Sequence, residues 1–132
     1  MDEKITKAAY SLLQPLSGLE HARLEEMSKG HAVIAIDIME TMHNALGNVH
    51  GGFLFTLCDT AAGVVSASES KVSVTLNGDI HFIKGVHSGT LYTRADTIHC
   101  GKTTLVVDVK IMNEDDALIA SGTFTMYILR EL

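Results

Sequence analysis

Basic charge is what this sequence has least of: ten Lys and Arg stand against sixteen Asp and Glu, a formal net charge of −6. Affinity for phosphate backbones comes mainly from clustered Lys and Arg, and no basic stripe is present, so nucleic acid is excluded as a partner. Cysteine is nearly absent as well. Cys58 falls in an apolar helical stretch and Cys100 in a strand-like one, too few and too scattered for a disulfide framework or a zinc site. A reducing cytoplasm is the expected compartment. The first residues carry Asp2 and Glu3 where a signal peptide has basic charge, with no apolar run behind them, and no apolar run anywhere reaches membrane-spanning length. Neither a signal peptide nor a membrane partner is expected. Aromatics make up only 5% of the chain, yet 46% is hydrophobic and the mean hydropathy is +0.21. The 132 residues therefore read as a single domain, 1–132, large enough to bury a core without staples. Oligomerisation would cover the remaining apolar surface.

Residues 3–13 alternate as a short amphipathic helix, with Ile5, Ala8, Ala9 and Leu12 on one side and Pro15 as its stop. From Leu16 to Lys29 the chain is polar and irregular, with a turn at Ser17-Gly18, so 1–29 reads as an N-terminal helix and loop preceding a core of 30–132. From Gly30 the period changes to two: Ala32, Ile34, Ile36 and Ile38 share one face of a strand. After a glycine-rich turn and a helix over Gly51 to Ala67 come four more strands, Val72–Ile83, Leu91–Cys100, one carrying Leu105, Val107, Val109 and Ile111, and a last one over Leu118–Ile128. Gly78 is expected to be a bulge, and Gly101-Lys102 and Asn113–Asp116 are expected hairpin turns. One early strand, a long helix and four strands in succession give an α+β fold, an antiparallel sheet around one helix.

The stretch from His43 to Gly63, HNALGNVHGGFLFTLCDTAAG, organises the rest. It enters its helix through glycines and then turns apolar on nearly every side, which marks a buried helix. One ionisable group, Asp59, lies inside it. A carboxylate there has either a structural hydrogen-bonding role or a chemical one. At the N-terminal end, His50, Gly51 and Gly52 present backbone N–H groups where the helix dipole is positive, a ready site for an oxygen that becomes anionic.

Asn44-x-x-Gly47-x-x-His50-Gly51-Gly52, followed seven residues later by Asp59, resembles the hotdog-fold acyl-CoA thioesterases of the phenylacetate-degradation type, and the resemblance runs from about Gly30 to Ile128. It implies the hotdog fold, a long helix wrapped by an antiparallel sheet, and sites shared between two subunits of a homodimer that pairs further into a dimer of dimers. It gives the Gly51 N–H an oxyanion role, Asn44 a hold on the thioester carbonyl, Asp59 the role of base or nucleophile, and His50 a part in placing the carbonyl or leaving group. A hydroxyl holding the attacking water falls on Thr75 if the alignment is anchored at Phe82, and on Ser73 if it is anchored at the run Val72 to Val74. The N-terminal helix would lie near the acyl pocket. The sequence departs from the family at Gly85, where many members carry proline after a basic residue, and at Gly78-Asp79, which interrupts a strand that is usually more apolar.

What the resemblance implies is an acyl-CoA thioesterase with coenzyme A as part of its substrate and no other cofactor. A non-catalytic acyl-CoA-binding or sensor domain, with Asp59 purely structural, is the alternative, and the His–carboxylate arrangement usual in hotdog hydratases is not found. His43 and His50, seven apart, lack a third ligand for a metal. His81, His87 and His99 read as surface or satisfied residues. Lys71, Lys84, Arg94 and Lys102 either meet the phosphates of coenzyme A or form a plain solvated surface.

Overall fold

A computed structural model describes residues 1–11 and 18–132. The expected end of the first helix at Leu12 and Leu13, its stop at Pro15 and the Ser17 half of the Ser17-Gly18 turn lie outside the described residues. In chain order the elements are α1 (Glu3–Ser11), a 3-10 turn (Leu19–His21), β1 (Arg23–Ser28), β2 (His31–Asp37), a second 3-10 turn (Glu40–Met42), α2 (Gly51–Ser68), β3 (Lys71–Phe82), β4 (Thr90–Cys100), β5 (Thr104–Met112) and β6 (Leu118–Glu131). The strands form one sheet of order β1-β2-β4-β5-β6-β3. Every neighbouring pair is antiparallel.

The sheet wraps α2. Phe53, Leu54, Leu57, Cys58, Ala61 and Ala62 of the helix are buried against inward-facing residues such as Ile34, Ile36, Leu91, Val107 and Phe124. The small residues of α2 let the sheet approach closely, and α1 packs across the same helix with Ile5 and Ala9 buried. By length and composition alone α2 would qualify as a membrane span, which corrects the expectation that no segment does. Its apolar surface is spent on the sheet instead, with 61% of the helix buried.

Two further expectations are corrected. Residues 18–29, read as irregular loop, contain β1, which pairs with β2 at the sheet edge. Its register shifts between Leu24 and Glu26, so Leu24 and Met27, both packed against the core, stand three apart instead of two. The bulge broke the alternation that would have revealed the strand. In β3 the register shifts fall between Val72 and Ser73 and between Thr75 and Asn77, the second at Leu76 and neither at Gly78. Gly78 pairs regularly with Phe124, and a Cβ there would lie 2.6 Å from Phe124 Cε2. Glycine is needed so that a fully buried ring can lie on the strand.

On the outer face, His31 is held between Asp96 on β4 (Nδ1 to Oδ1, 2.6 Å) and Glu26 on β1 (Nε2 to Oε1, 2.9 Å). The hydrogen bond to Glu26, then that to Asp96, raises its pKa above the ordinary value of 6.5. A raised folded-state pKa contributes stability that is fully present below the unfolded value and lost as pH rises through the folded one. The melting temperature of wild type minus that of His31→Asn is therefore expected to shrink as pH is raised from 6 through the folded pKa, and to be smaller in high salt because both carboxylates are largely exposed. A difference that grows with pH would reverse the assignment.

Candidate active site

The turn before α2 is built by its own side chains. Asn44 Oδ1 accepts the N–H of Leu46 at 3.0 Å and of Asn48 at 3.1 Å, and the Asn44 N–H donates to the Asn48 carbonyl at 2.7 Å. Gly47, at φ 82°, supplies the left-handed residue that this tight loop requires. With Oδ1 committed, Asn44 keeps its two amide N–H donors for a ligand. The helix is then capped by His50, whose Nδ1 accepts the Gly52 N–H at 2.9 Å, which puts the ring proton of a neutral His50 on Nε2. The N–H groups of Phe53 and Leu54 go to the His50 carbonyl. Among the described residues the Gly51 N–H has no acceptor. Of the first-turn donors it is the one left over for an incoming oxygen.

Asn44 and Gly51 line one cavity of about 260 Å³ together with Asn48, Phe82, Lys84 and Gly85. His50 does not join them. It lines the neighbouring groove with Thr41, His43 and Thr56, while His43 Nε2 donates to the His87 carbonyl at 2.7 Å. Among the described residues no three His, Cys, Asp or Glu side chains converge as a metal site would require. Of the four cations considered for coenzyme A, Lys84 alone lines the Gly51 cavity. Lys71 is paired with Glu131, and Arg94 lies in an outer-face groove beside Tyr92 and Glu26.

Asp59 lies two turns further along α2, half-buried. The Thr75 hydroxyl donates to its Oδ1 at 2.5 Å, leaving Oδ2 without a protein partner among the described residues. Ser73, the other candidate, donates to Ser66 Oγ at 2.6 Å. Of the two hydroxyls, Thr75 is the one that meets Asp59; its strand position pairs with Met126 of β6. Asp59 and Thr75 share a cavity of about 250 Å³ with Thr60, Gly63, Ser73 and Met126. Cys58 adjoins Asp59 in sequence but is fully buried. Burial, and then the Asp59 charge, push its thiol up to about 12, so it remains a neutral core residue and offers no second nucleophile.

One chain therefore carries two separate polar stations on one helix. Gly51 and Asp59 are eight residues apart, roughly 12 Å along the axis at a rise of about 1.5 Å per residue. Nothing local in the sequence marks Phe82, Gly63 or Met126 as lining residues. Only the strand pairing and the helix face bring them there.

Comparison with known proteins matches this architecture. The thioesterase superfamily pattern matches residues 46–120. The acyl-coenzyme A thioesterase PaaI of Escherichia coli is 34% identical over 71% of this chain and 68% of its own length, and the structure of the E. coli PaaI protein superposes with a TM-score of 0.88 over 97% of this chain and 95% of that one, at 26% identity. A hypothetical thioesterase protein from Streptococcus pneumoniae TIGR4, solved with coenzyme A, is 33% identical with a TM-score of 0.84, covering 96% of this chain and 95% of its own. A thioesterase enzyme from Staphylococcus aureus is 27% identical with a TM-score of 0.77, covering 81% and 92%. This chain belongs to the thioesterase superfamily, among the hotdog-fold thioester hydrolases of the phenylacetate-degradation (PaaI-like) type.

Proposed function

We propose that two copies of this chain build sites that hydrolyse an acyl-CoA to the free acid and coenzyme A. The carbonyl oxygen is held by the Gly51 N–H and the Asn44 amide of one copy, and water is activated by Asp59 of the other. Thr75 fixes Oδ1 and accepts a hydrogen bond from that water. The water oxygen adds to the thioester carbon while its proton passes to Asp59 Oδ2. The oxyanion formed rests on Gly51 at the positive end of α2. When the carbonyl re-forms, the C–S bond breaks and the departing coenzyme A thiolate takes up the proton.

The observation that carries this reading is the Asp59–Thr75 hydrogen bond beside a cavity that Gly51 does not line. Relatives support the residue choice. The structures of the pneumococcal protein include one with an aspartate replaced by alanine and one with a threonine, sixteen residues further on, replaced by alanine. Asp59 and Thr75 are also sixteen apart. The staphylococcal structures include a glutamine and, fifteen residues later, a glutamate replaced by alanine, the spacing of Asn44 to Asp59.

The edge of β3 supports a shared site. It is a terminal strand of the sheet, with Val74 and Leu76 exposed at 49% and 62%, and an open apolar edge invites pairing with another strand. An antiparallel pairing of two β3 edges about an axis near Gly78-Asp79 would lay Thr75 of one copy opposite Phe82 of the other, and so carry Asp59 toward the Gly51 cavity. Pairing of dimers into tetramers would cover further apolar surface. The two free cysteines, Cys58 and Cys100, suit a cytoplasmic enzyme.

Incubating the protein with aryl, short-chain and long-chain acyl-CoAs and detecting released thiol tests the reaction. Saturable binding without thiol release across the panel would instead identify an acyl-CoA-binding domain. Within the active protein, Thr75→Ala is expected to lower turnover by the equivalent of about 1–3 kcal/mol, one hydrogen bond to a reacting group, and Ser73→Ala by less. The reverse order of kcat values would move the water-holding role to Ser73.

A further inference from the structure

We propose that Phe82 is a positioning residue for this site: its ring, resting against the first turn of α2, holds the Gly51 N–H in place, and it is this ring that limits the room for a side chain at position 51. The inference rests on Gly51 being the oxyanion donor. A Cβ built on Gly51 would lie 3.3 Å from Phe82 Cζ and 3.4 Å from Cε1. Such a contact is tighter than nine in ten real Cβ contacts, so a side chain at position 51 would need the Phe82 ring to give by a few tenths of an ångström.

The base of Phe82 is fixed. It is the last residue of β3, paired with Ala120, and the next two N–H groups, of Ile83 and Lys84, both bond to the Ile119 carbonyl at 2.8 and 3.2 Å. In the single chain the side chain nevertheless remains 55% exposed, so its burial contributes little to that chain's core, and the β3 pairing proposed above would set it against the other copy. Its effect is local. No hydrogen bond among the described residues fixes the Gly51 N–H, and Phe82 lines the same cavity as Gly51, Asn44 and Asn48. An apolar plate beside a lone donor also keeps competing water away, which strengthens the bond that the donor makes to a developing oxyanion.

A double-mutant cycle on the full chain tests this, using an acyl-CoA that the wild type hydrolyses. Gly51→Ala and Phe82→Ala are each expected to lower kcat about tenfold with KM changed less than about twofold. Removing the ring makes room for the added methyl, so the double variant should turn over about as fast as Phe82→Ala alone, instead of showing the roughly hundredfold loss of independent effects. Phe82→Leu, which keeps a bulky apolar group, should retain most of the wild-type kcat. Infrared spectra of a bound ketone analogue, in which CH₂ replaces the thioester sulfur, should show the carbonyl stretch lowered in wild type and lowered less in Phe82→Ala at equal occupancy. Multiplicative losses in the cycle overturn the inference, as does an unchanged carbonyl frequency in Phe82→Ala. If Gly51→Ala fails to fold, the carbonyl frequencies of the two Phe82 variants decide. A wild type that releases no thiol from any acyl-CoA removes the functional reading itself, whereas an active wild type with multiplicative losses removes only the role of Phe82.

Discussion

Asp59→Asn is expected to fold and bind acyl-CoA as the wild type does, while turnover falls about 100-fold or more. Asparagine has the same shape, and its Oδ1 still accepts the Thr75 hydroxyl that reaches Asp59 at 2.5 Å. The position is half-buried, so losing a charge there relieves some desolvation and leaves no orphaned ion. What disappears is the one oxygen able to take a proton from water, since an amide is a negligible base near neutral pH. An unchanged melting temperature and dissociation constant with a collapsed kcat would therefore assign the carboxylate to the chemical step. Turnover close to wild type would sink that assignment, and an unfolded variant would return Asp59 to a structural role. Single turnover in ¹⁸O-water bears on the two chemical roles: label in the Asp59 carboxylate identifies an acyl–aspartyl anhydride that water opens at the Asp59 carbonyl, whereas label in the product acid alone arises both from a general base and from opening at the substrate carbonyl.

How much of this was legible in the sequence depends on how local each feature is. The helix was readable because an apolar run opened by Gly51-Gly52 and interrupted by one carboxylate is a local pattern, and the observed span, Gly51–Ser68, differs from the expected one by a single residue. The hairpin at Asn113 to Asp116 was readable for the same reason. There Asn113 Oδ1 accepts the N–H groups of Asp115 and Ala117, the short-range bonding that asparagine brings to turns. Strand β1 was hidden by its bulge. The partner of Asp59 was not readable from periodicity, because Ser73 and Thr75 lie on the same strand face, and only the side-chain geometry separates the hydroxyl that meets Asp59 from the one that turns to Ser66. The side-chain geometry also divided the turn differently from the motif: Asn44 is half committed to its own loop, and His50 caps the helix and opens to a different groove. The contact between Gly51 and Phe82 joins residues thirty-one apart in sequence and has no local signature.

Mixing two inactive variants is expected to restore about a quarter of wild-type activity. The variants follow from the geometry. Asn44→Asp keeps an Oδ1 acceptor for the Leu46 and Asn48 N–H groups but replaces the amide donors with a carboxylate facing the oxyanion, and Asp59→Asn removes the base. If each site takes Asn44 and Gly51 from one chain and Asp59 from the other, a dimer of the two variants has one site with both lesions and one with neither. Random reassembly makes about half the dimers mixed, each with one intact site of two, hence the quarter. The mixed species can also be isolated. Each wild-type chain carries a formal charge of −6, Asn44→Asp adds one negative charge and Asp59→Asn removes one, so the three dimers differ in steps of two charges and separate by ion exchange. The purified mixed dimer should run at about half the wild-type rate, with both parents near background. A mixed dimer no more active than its parents would place Asn44 and Asp59 in the same chain's site. The roughly 12 Å between Gly51 and Asp59 along α2 would then have to be closed by movement within one subunit, and a shared site would be excluded.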